Sequence, residues 1–388
     1  MKIFMLVSRV PWPLEKGDKL RAYHQLKQLA KNHEVFLCCL SDKEVHPDAM
    51  AQLKSITPHV VVLRLNILIV GWRLFRALFS SKPFQVHYFF QSSAKRKVKA
   101  LIDEFKPDNI YCQLIRTSEY VKHFHNYSKT LDYMDALSAG LQRRVGRTGW
   151  ILNLFVREES KRLKNYEHLI FDYFEHHTII SAQDRDLIFH PERKKIEVVP
   201  NGIDSTFFTP SNDIEKKYDL VFTGNMSYPP NVDCALRLVH EILPLVHQKM
   251  PGVKLLIAGA TPSRQVMQLQ SEFVEVTGWM DDIRTAYSSS KIFMAPMRTG
   301  SGLQNKLLEA MCMEIPCVTS QIVARAMEAV HGEHLLIEET NEQLAECVIK
   351  LLNTPDVSNE MAKRGRQFVV SKFNWEATTD KISALWKS

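Results

Sequence analysis

Lys306 and Glu309 stand three residues apart, just downstream of the small-residue run Thr299-Gly300-Ser301-Gly302. On a helix that spacing sends both side chains from nearly the same face. A cation there suits a phosphate, and a carboxylate suits sugar hydroxyls. Residues 291–296 (KIFMAP) ahead of the run read as a buried strand, and Leu303–Met313 has helix-forming composition. A strand, a glycine turn and a helix N-terminus at Leu303 together make an anion site, because free backbone N–H groups and the positive dipole end point above the sheet. The alternative is a solvated i,i+3 ion pair on an ordinary helix, and this stretch alone leaves both readings open. A second candidate lies after the first strand, Lys2–Val7, in the loop SRVPWPLEKGDK. Arg9, Lys16, Gly17, Asp18, Lys19 and Arg21 would form a phosphate or acceptor lip, or Asp18 caps a helix and the basic residues are solvated.

These residues need a scaffold. Leu307, Leu308, Met311 and Cys312 give the Leu303–Met313 helix an apolar face, and Pro316 closes the unit before IPCVTS starts another strand. From Leu20 the chain turns helical, and a strand returns at Glu34–Leu40, which is the opening of a parallel α/β sheet. Further strands are expected at Val60–Leu65, Asn109–Leu114 and Lys129–Met134, with a long polar helix over Leu154–Phe174. Residues 200–217 hold two prolines, an Asn-Gly and alternating charges, and read as a linker. The strand–helix alternation then restarts. Of 14 glycines in the chain, Gly224, Gly259, Gly278, Gly300 and Gly302 each follow one of four predicted strands, so one edge of the second domain is a ligand rim.

The 388 residues favour two domains of ordinary size, expected at 1–199 and 218–372, with the last helix (about 373–388) packing back on the first. Seven cysteines without a Cys-x-x-Cys pair point to a reduced, cytoplasmic chain. No signal peptide or membrane-spanning run is expected. The net charge of +7 is uneven: residues 1–195 carry 32 Lys+Arg against 20 Asp+Glu, a net of +12, and the remainder carries −5. Such asymmetry suggests an anionic partner for the first half. Residues 67–79 (ILIVGWRLFRALF) are either a helix packed on the sheet or a membrane-interface segment with Arg73 and Arg76 toward headgroups, and the basic cluster Lys95–Lys99 keeps the second reading alive.

Three stretches carry a family resemblance: VVPNGIDSTFFTP, FTGNMSYPPNVDCALRLVHEILPLV, and VTGWMDDIRTAYSSSKIFMAPMRTGSGLQNKLLEAMCMEIPCVTS. In this order, across about half the chain, they resemble retaining glycosyltransferase family 4. The opening RVPWPLEKGDKLRAYHQLKQLA is similar to sugar transferases associated with bacterial exopolysaccharide export. The resemblance implies a GT-B fold, two doubly wound Rossmann-like α/β domains facing each other across a cleft. It also implies a nucleotide-diphosphate sugar bound by the second domain as substrate, no cofactor, and a glycan or polyprenyl-linked acceptor on the first. Glu309 matches the second glutamate of the family's E-x7-E pair, which implies that it holds the ribose hydroxyls. The first glutamate falls at Ser301, so this carboxylate is missing. The family's Arg and Lys after the first glycine of the donor domain are also absent, since Gly224 is followed by Asn225 and MSYPPNVD. Lys306 and Arg298 are therefore the candidates for neutralising the diphosphate. Gly278 and Trp279 would lie near the base, with Trp279 as a stacking face or a plain core residue.

Asp132-x-x-Asp135 and Asp184-x-Asp186 look superficially like metal-binding pairs. The first sits at a strand end, with Asp135 able to face an acceptor, and the second reads as the start of a surface helix. The resembled class generally needs no divalent ion, so no metal is expected. Nucleic acid is not expected either, since no recognition motif accompanies the basic half. The reading is a metal-independent, retaining glycosyltransferase of cell-surface or exopolysaccharide synthesis, cytoplasmic and peripheral on the membrane. The missing glutamate motivates one alternative, a non-catalytic nucleotide-sugar or polysaccharide-binding module.

Overall fold

The structure is a computed structural model that describes all residues except 144, 147–148, 212, 300–302 and 388. The chain divides into two compact units, Met1–Pro200 with Trp375–Ser388, and Asn201–Asn374. Each contains one parallel sheet. In unit 1 the strands are β1 (Lys2–Val7), β2 (Glu34–Ser41), β3 (Val60–Arg64), β4 (Asn109–Gln113), β5 (Ser128–Asp132), β6 (His176–Ile179) and β7 (Glu197–Val198). Their order is β3-β2-β1-β4-β5-β6-β7. Unit 2 contains β8 (Tyr218–Thr223), β9 (Leu255–Ala258), β10 (Val274–Val276), β11 (Ser290–Ala295), β12 (Cys317–Thr319) and β13 (Leu336–Ile337), in the order β10-β9-β8-β11-β12-β13.

Both orders reverse once, at β1/β4 in unit 1 and at β8/β11 in unit 2. Parallel strands buried on both faces read as near-continuous apolar runs, and β1, β8 and β11 are such runs. In unit 1 one core cluster packs Phe4, Leu6 and Cys112 on one face, and another packs Ile3, Met5 and Tyr111 on the other, as the period of two along a strand requires. Doubly wound sheets open a crevice outside the carboxyl ends of the strands at the reversal. Gly224, directly after β8, and helix Asn305–Cys312, which follows β11, sit at that place in unit 2.

Some element boundaries shift from the expected ones, and the last helix does not. Residues 201–217 cluster with unit 2. Arg366 there donates to the Phe208 carbonyl at 3.2 Å, and the Cys312 thiol reaches the same oxygen at 3.2 Å. The last helix, Trp375–Leu385, clusters with unit 1. Trp375 stacks on His24 at 4.8 Å, and the Trp386 indole donates to Thr130 at 2.7 Å. The helix expected from Leu303 begins at Asn305, because Gln304 is still extended and Leu303 is buried. The helix expected from Leu154 begins at Trp150, and its first turns are apolar and exposed rather than polar.

Candidate functional site

The site in unit 2 grows from the end of β8. Gly224 has φ +152° and Gly259, after the neighbouring β9, has φ +133°. A Cβ on Gly259 would lie 2.0 Å from the Gly224 carbonyl oxygen, so the two strand ends close on each other only as glycines. A Cβ on Gly224 would in turn fall 2.7 Å from the Asn231 amide and 3.3 Å from the Lys306 ammonium. The Asn225 side-chain oxygen accepts from the Ser227 backbone at 3.0 Å, from the Ser227 hydroxyl at 2.7 Å and from Thr261 at 3.0 Å. Its backbone oxygen accepts from Asn231 at 2.9 Å. Asn225 therefore builds the turn, using its acceptor capacity on the protein itself.

Helix Asn305–Cys312 buries Leu307, Leu308, Met311 and Cys312, as its periodicity predicts, and this fixes the direction of Lys306 and Glu309. The Lys306 ammonium donates to the Asn231 side-chain oxygen and lies 4.7 Å from the centre of the Phe222 ring. The described residues place no carboxylate within ion-pair distance of it. Burial lowers its pKa to about 8, against the raising influence of Cys234 and Glu309. Glu309 accepts from the Tyr287 hydroxyl at 2.7 Å, and Tyr287 lies 2.7 Å from Thr223 Oγ1 at the end of β8. A phenol has one hydrogen, so Thr223 donates to Tyr287 and Tyr287 donates to Oε2 of Glu309. Burial raises the Glu309 pKa, while the Tyr287 bond and the Lys306 charge oppose it. The solvated ion pair does not form: each charge is held in its own network, and Oε1 of Glu309 has no hydrogen bond among the described residues.

Other expected residues are placed differently. Arg298 forms a bidentate pair with Glu241, one contact being 2.8 Å, and Glu241 also accepts from Asn341 at 2.8 Å. Its charge is compensated at the surface. Trp279 is not a core residue, being 60% exposed beside Gly278, with an indole face open to stacking. Gly300, Ser301 and Gly302 lie outside the described residues. Asn231 and Tyr287 were missed. Nothing local marks them, since one lies in the first turn of helix Pro229–Arg237 and the other near the end of the short helix Arg284–Ser288.

In unit 1, Arg9 pairs with Asp18, and Asp18 lies in the first turn of helix Gly17–Asn32 without capping it, the N-cap being Lys16. A cavity of about 530 Å³ opens here, lined by Arg9, Trp12, Lys16, Lys19, Asp42 and Lys43 among others. Burial, then Arg9, lowers the Lys16 pKa. Arg21 is not at the acceptor lip. It is fully buried, donating to Asp132 at 2.7 and 3.0 Å and to the Val199 carbonyl at 2.9 Å. Asp132 also accepts from Tyr111 at 3.0 Å and Thr178 at 2.9 Å, so this carboxylate is a core strut. Asp135 differs: its Oδ1 is buried without a hydrogen-bond partner among the described residues, and burial, then Asp184, raises its pKa to about 7. Asp184 is buried against Ser181 rather than on a surface helix, because that helix packs its first turn inward. Among the described residues no group of three His, Cys, Asp or Glu could hold a metal ion.

Residues 217–354 match the family model for glycosyl transferases group 1. This segment is a group 1 glycosyl transferase domain. A 44.6 kDa protein in the cps region of Klebsiella pneumoniae is 24% identical over 96% of both chains. The capsular polysaccharide biosynthesis glycosyltransferase CapM of Staphylococcus aureus is 22% identical over 48% of this chain and 53% of its own length. Among solved structures, Anabaena HepE in complex with UDP superposes with TM-score 0.69 at 14% identity, covering 100% of both chains. That likeness shows the two-domain GT-B fold. The activity class of the chain is glycosyl transfer, and the glycosyltransferase domain contains Lys306, Glu309, Asn231 and Tyr287.

Proposed function

We propose that this glycosyltransferase takes a nucleotide-diphosphate sugar on unit 2 and passes the sugar, with retained configuration and without a divalent ion, to a glycan or lipid-linked acceptor on unit 1. Capsule or exopolysaccharide synthesis is the setting, by analogy with CapM and the cps-region relative. The observation that carries the reading is the half-buried Lys306 ammonium beside Gly224 at the sheet reversal, with no anionic partner among the described residues. A desolvated cation at that place favours a bound diphosphate, and it stabilises the charge that grows on the leaving group as the glycosidic bond breaks. Glu309 offers Oε1 to the ribose hydroxyls, with Oε2 fixed by Tyr287. Trp279 supplies a face for the base, Gly224, Asn225, Gly278 and Leu303 shape the backbone around the donor, and Asp135 faces the acceptor. UDP is the first nucleotide to test, since HepE was solved with it. Unit 1 attaches peripherally to an anionic membrane through Arg76 and Lys95–Lys99, with Trp72 and Phe75 inserting.

Thermal-shift screening of nucleotide sugars tests donor choice: a donor at ~100 times its dissociation constant adds roughly 2.7 kcal/mol of stability. Nucleoside diphosphate release and the anomeric configuration of the product then test turnover and retention. Stabilisation by a nucleotide sugar with no release in the presence of any acceptor would favour the binding-module reading instead.

A further inference from the structure

Helix Ile67–Ala77 buries only Val70 and Ala77. Ile67, Leu68, Trp72, Phe75, Leu78 and Phe79 are exposed, Phe79 to 81%. Trp72, Phe75 and Phe79 form one ladder, with ring centres 5.8 and 5.7 Å apart. A second exposed apolar element begins helix Trp150–Phe171, namely Trp150 (76% exposed), Ile151, Leu152, Leu154 and Phe155. The two are neighbours. Arg162 of the second helix donates to the Ala77 carbonyl at 2.6 Å and lies 4.8 Å from the Phe84 ring, which packs on Phe155 at 4.8 Å.

The first element lies in a stretch whose charge has one sign. Between Asp48 and Asp103 there is no Asp or Glu and there are nine Lys+Arg, of which Lys54, Arg64, Arg76, Arg96, Lys97 and Lys99 are exposed. The acids packed near the ridge are engaged: Glu158 pairs with Arg162 at 2.7 Å, Glu159 accepts from the Phe84 and Gln85 backbones, and Glu119 pairs with Lys82 and Lys122. Arg73 does not point freely outward, since its guanidinium lies over the Phe90 ring at 4.5 Å.

We propose that these two elements form a single bipartite ridge that seats in the interface of an anionic lipid bilayer. The second half, Trp150–Phe155, adds an insertion element to the Trp72–Phe75 face. The inference rests on the peripheral-membrane part of the proposed function and is independent of the donor site. An 11-residue helix is about 16 Å long, roughly half the hydrocarbon thickness, so it lies in the interface. Among the described residues no helix is long and apolar enough to cross a membrane. Exposed apolar area this contiguous marks an interaction surface. A two-fold dimer across it would set two basic patches against each other, whereas anionic headgroups complement them.

The test is co-sedimentation of the full chain with phosphatidylcholine vesicles, with and without phosphatidylglycerol, without donor. Binding to the anionic vesicles is expected, together with quenching of tryptophan fluorescence by brominated lipid. Trp150→Ser with Leu152→Ser, both exposed, should weaken partitioning on the order of tenfold or more at unchanged melting temperature, as should Leu68→Ser with Phe79→Ser. Charge reversal of Arg96, Lys97 and Lys99 should weaken it on the order of a hundredfold at low salt. Wild-type binding by the Trp150/Leu152 variant would overturn the bipartite ridge and leave the membrane reading standing. No binding by the wild type would overturn both. Equal binding to neutral vesicles would overturn the anionic partner, and a lipid-independent dimer lost in the same variants would assign the ridge to a second copy.

Discussion

Lys306 and Glu309 share one face of a single helical turn and form no ion pair, since Lys306 donates to Asn231 and Glu309 accepts from Tyr287. A carboxylate and an ammonium at this spacing ordinarily meet in solvent for a few tenths of a kcal/mol. Here two separate networks hold them, both rooted at the end of β8, which leaves each charge with capacity for a ligand.

Lys306→Ala and Glu309→Ala should therefore fail in different ways. Loss of the cation removes stabilisation of the departing diphosphate and should lower kcat by a factor on the order of a hundred or more. Loss of the carboxylate removes contacts that change little between ground and transition state, so it should raise KM for donor with a smaller effect on kcat. Glu309→Gln should fall between. Steady-state kinetics beside melting temperatures check this. Folded variants with wild-type kinetics would remove the helix from the active site.

Donor use should fall at alkaline pH. The Lys306 pKa, lowered by burial to about 8, leaves the ammonium charged below that pH and neutral above it. In the unfolded chain the same group stays charged to its ordinary value of 10.5, so between these limits the unfolded state binds more protons. Stability from this residue then rises with pH, while the diphosphate loses its cation. The expected profile of kcat/KM for donor falls about tenfold per unit above pH ~8. Lys306→Arg should move that limb out of the measurable range. An unchanged limb in Lys306→Arg would assign it to another group.

Turnover should persist in excess chelator. Lys306 and the N-terminal turn of helix Asn305–Cys312 are placed to meet the charge that a divalent ion meets in other transferases. Assays with chelator, then with restored magnesium, decide this. A large reversible loss would redirect attention to the carboxylates near Asp135.

Arg21→Met should damage stability rather than acceptor binding. Removing the guanidinium leaves the Asp132 carboxylate buried with only neutral donors, Tyr111, Thr178 and the Met134 backbone, and breaking a buried pair costs about 3–5 kcal/mol. Urea unfolding measures the loss. The acceptor KM of any folded fraction should be unchanged.

The sequence by itself determined the two parallel sheets, the helix carrying Lys306 and Glu309, and the glycines at the strand ends, because these follow from local period and backbone freedom. Apolar runs of strand length separated by amphipathic stretches admit little besides a doubly wound sheet. It also marked Asp135 and the basic first half. Partner choice was not local. Arg21 and Asp132 are 111 residues apart, Arg298 and Glu241 are 57 apart, and Lys306 and Asn231 are 75 apart. A charged residue beside a predicted strand end looks alike in sequence whether its partner is a ligand or a distant side chain. Only the tertiary structure separated the three cases, burying Arg21 against Asp132, neutralising Arg298 with Glu241, and desolvating Lys306 beside Gly224 with no anion among the described residues. The same holds for the apolar ridge. Residues 67–79 read as either a core helix or an interface segment, and the helix expected from Leu154 read as polar; it is the packing of unit 1, which buries Val70 and Ala77 and little else of the first helix, that leaves both apolar faces open to solvent.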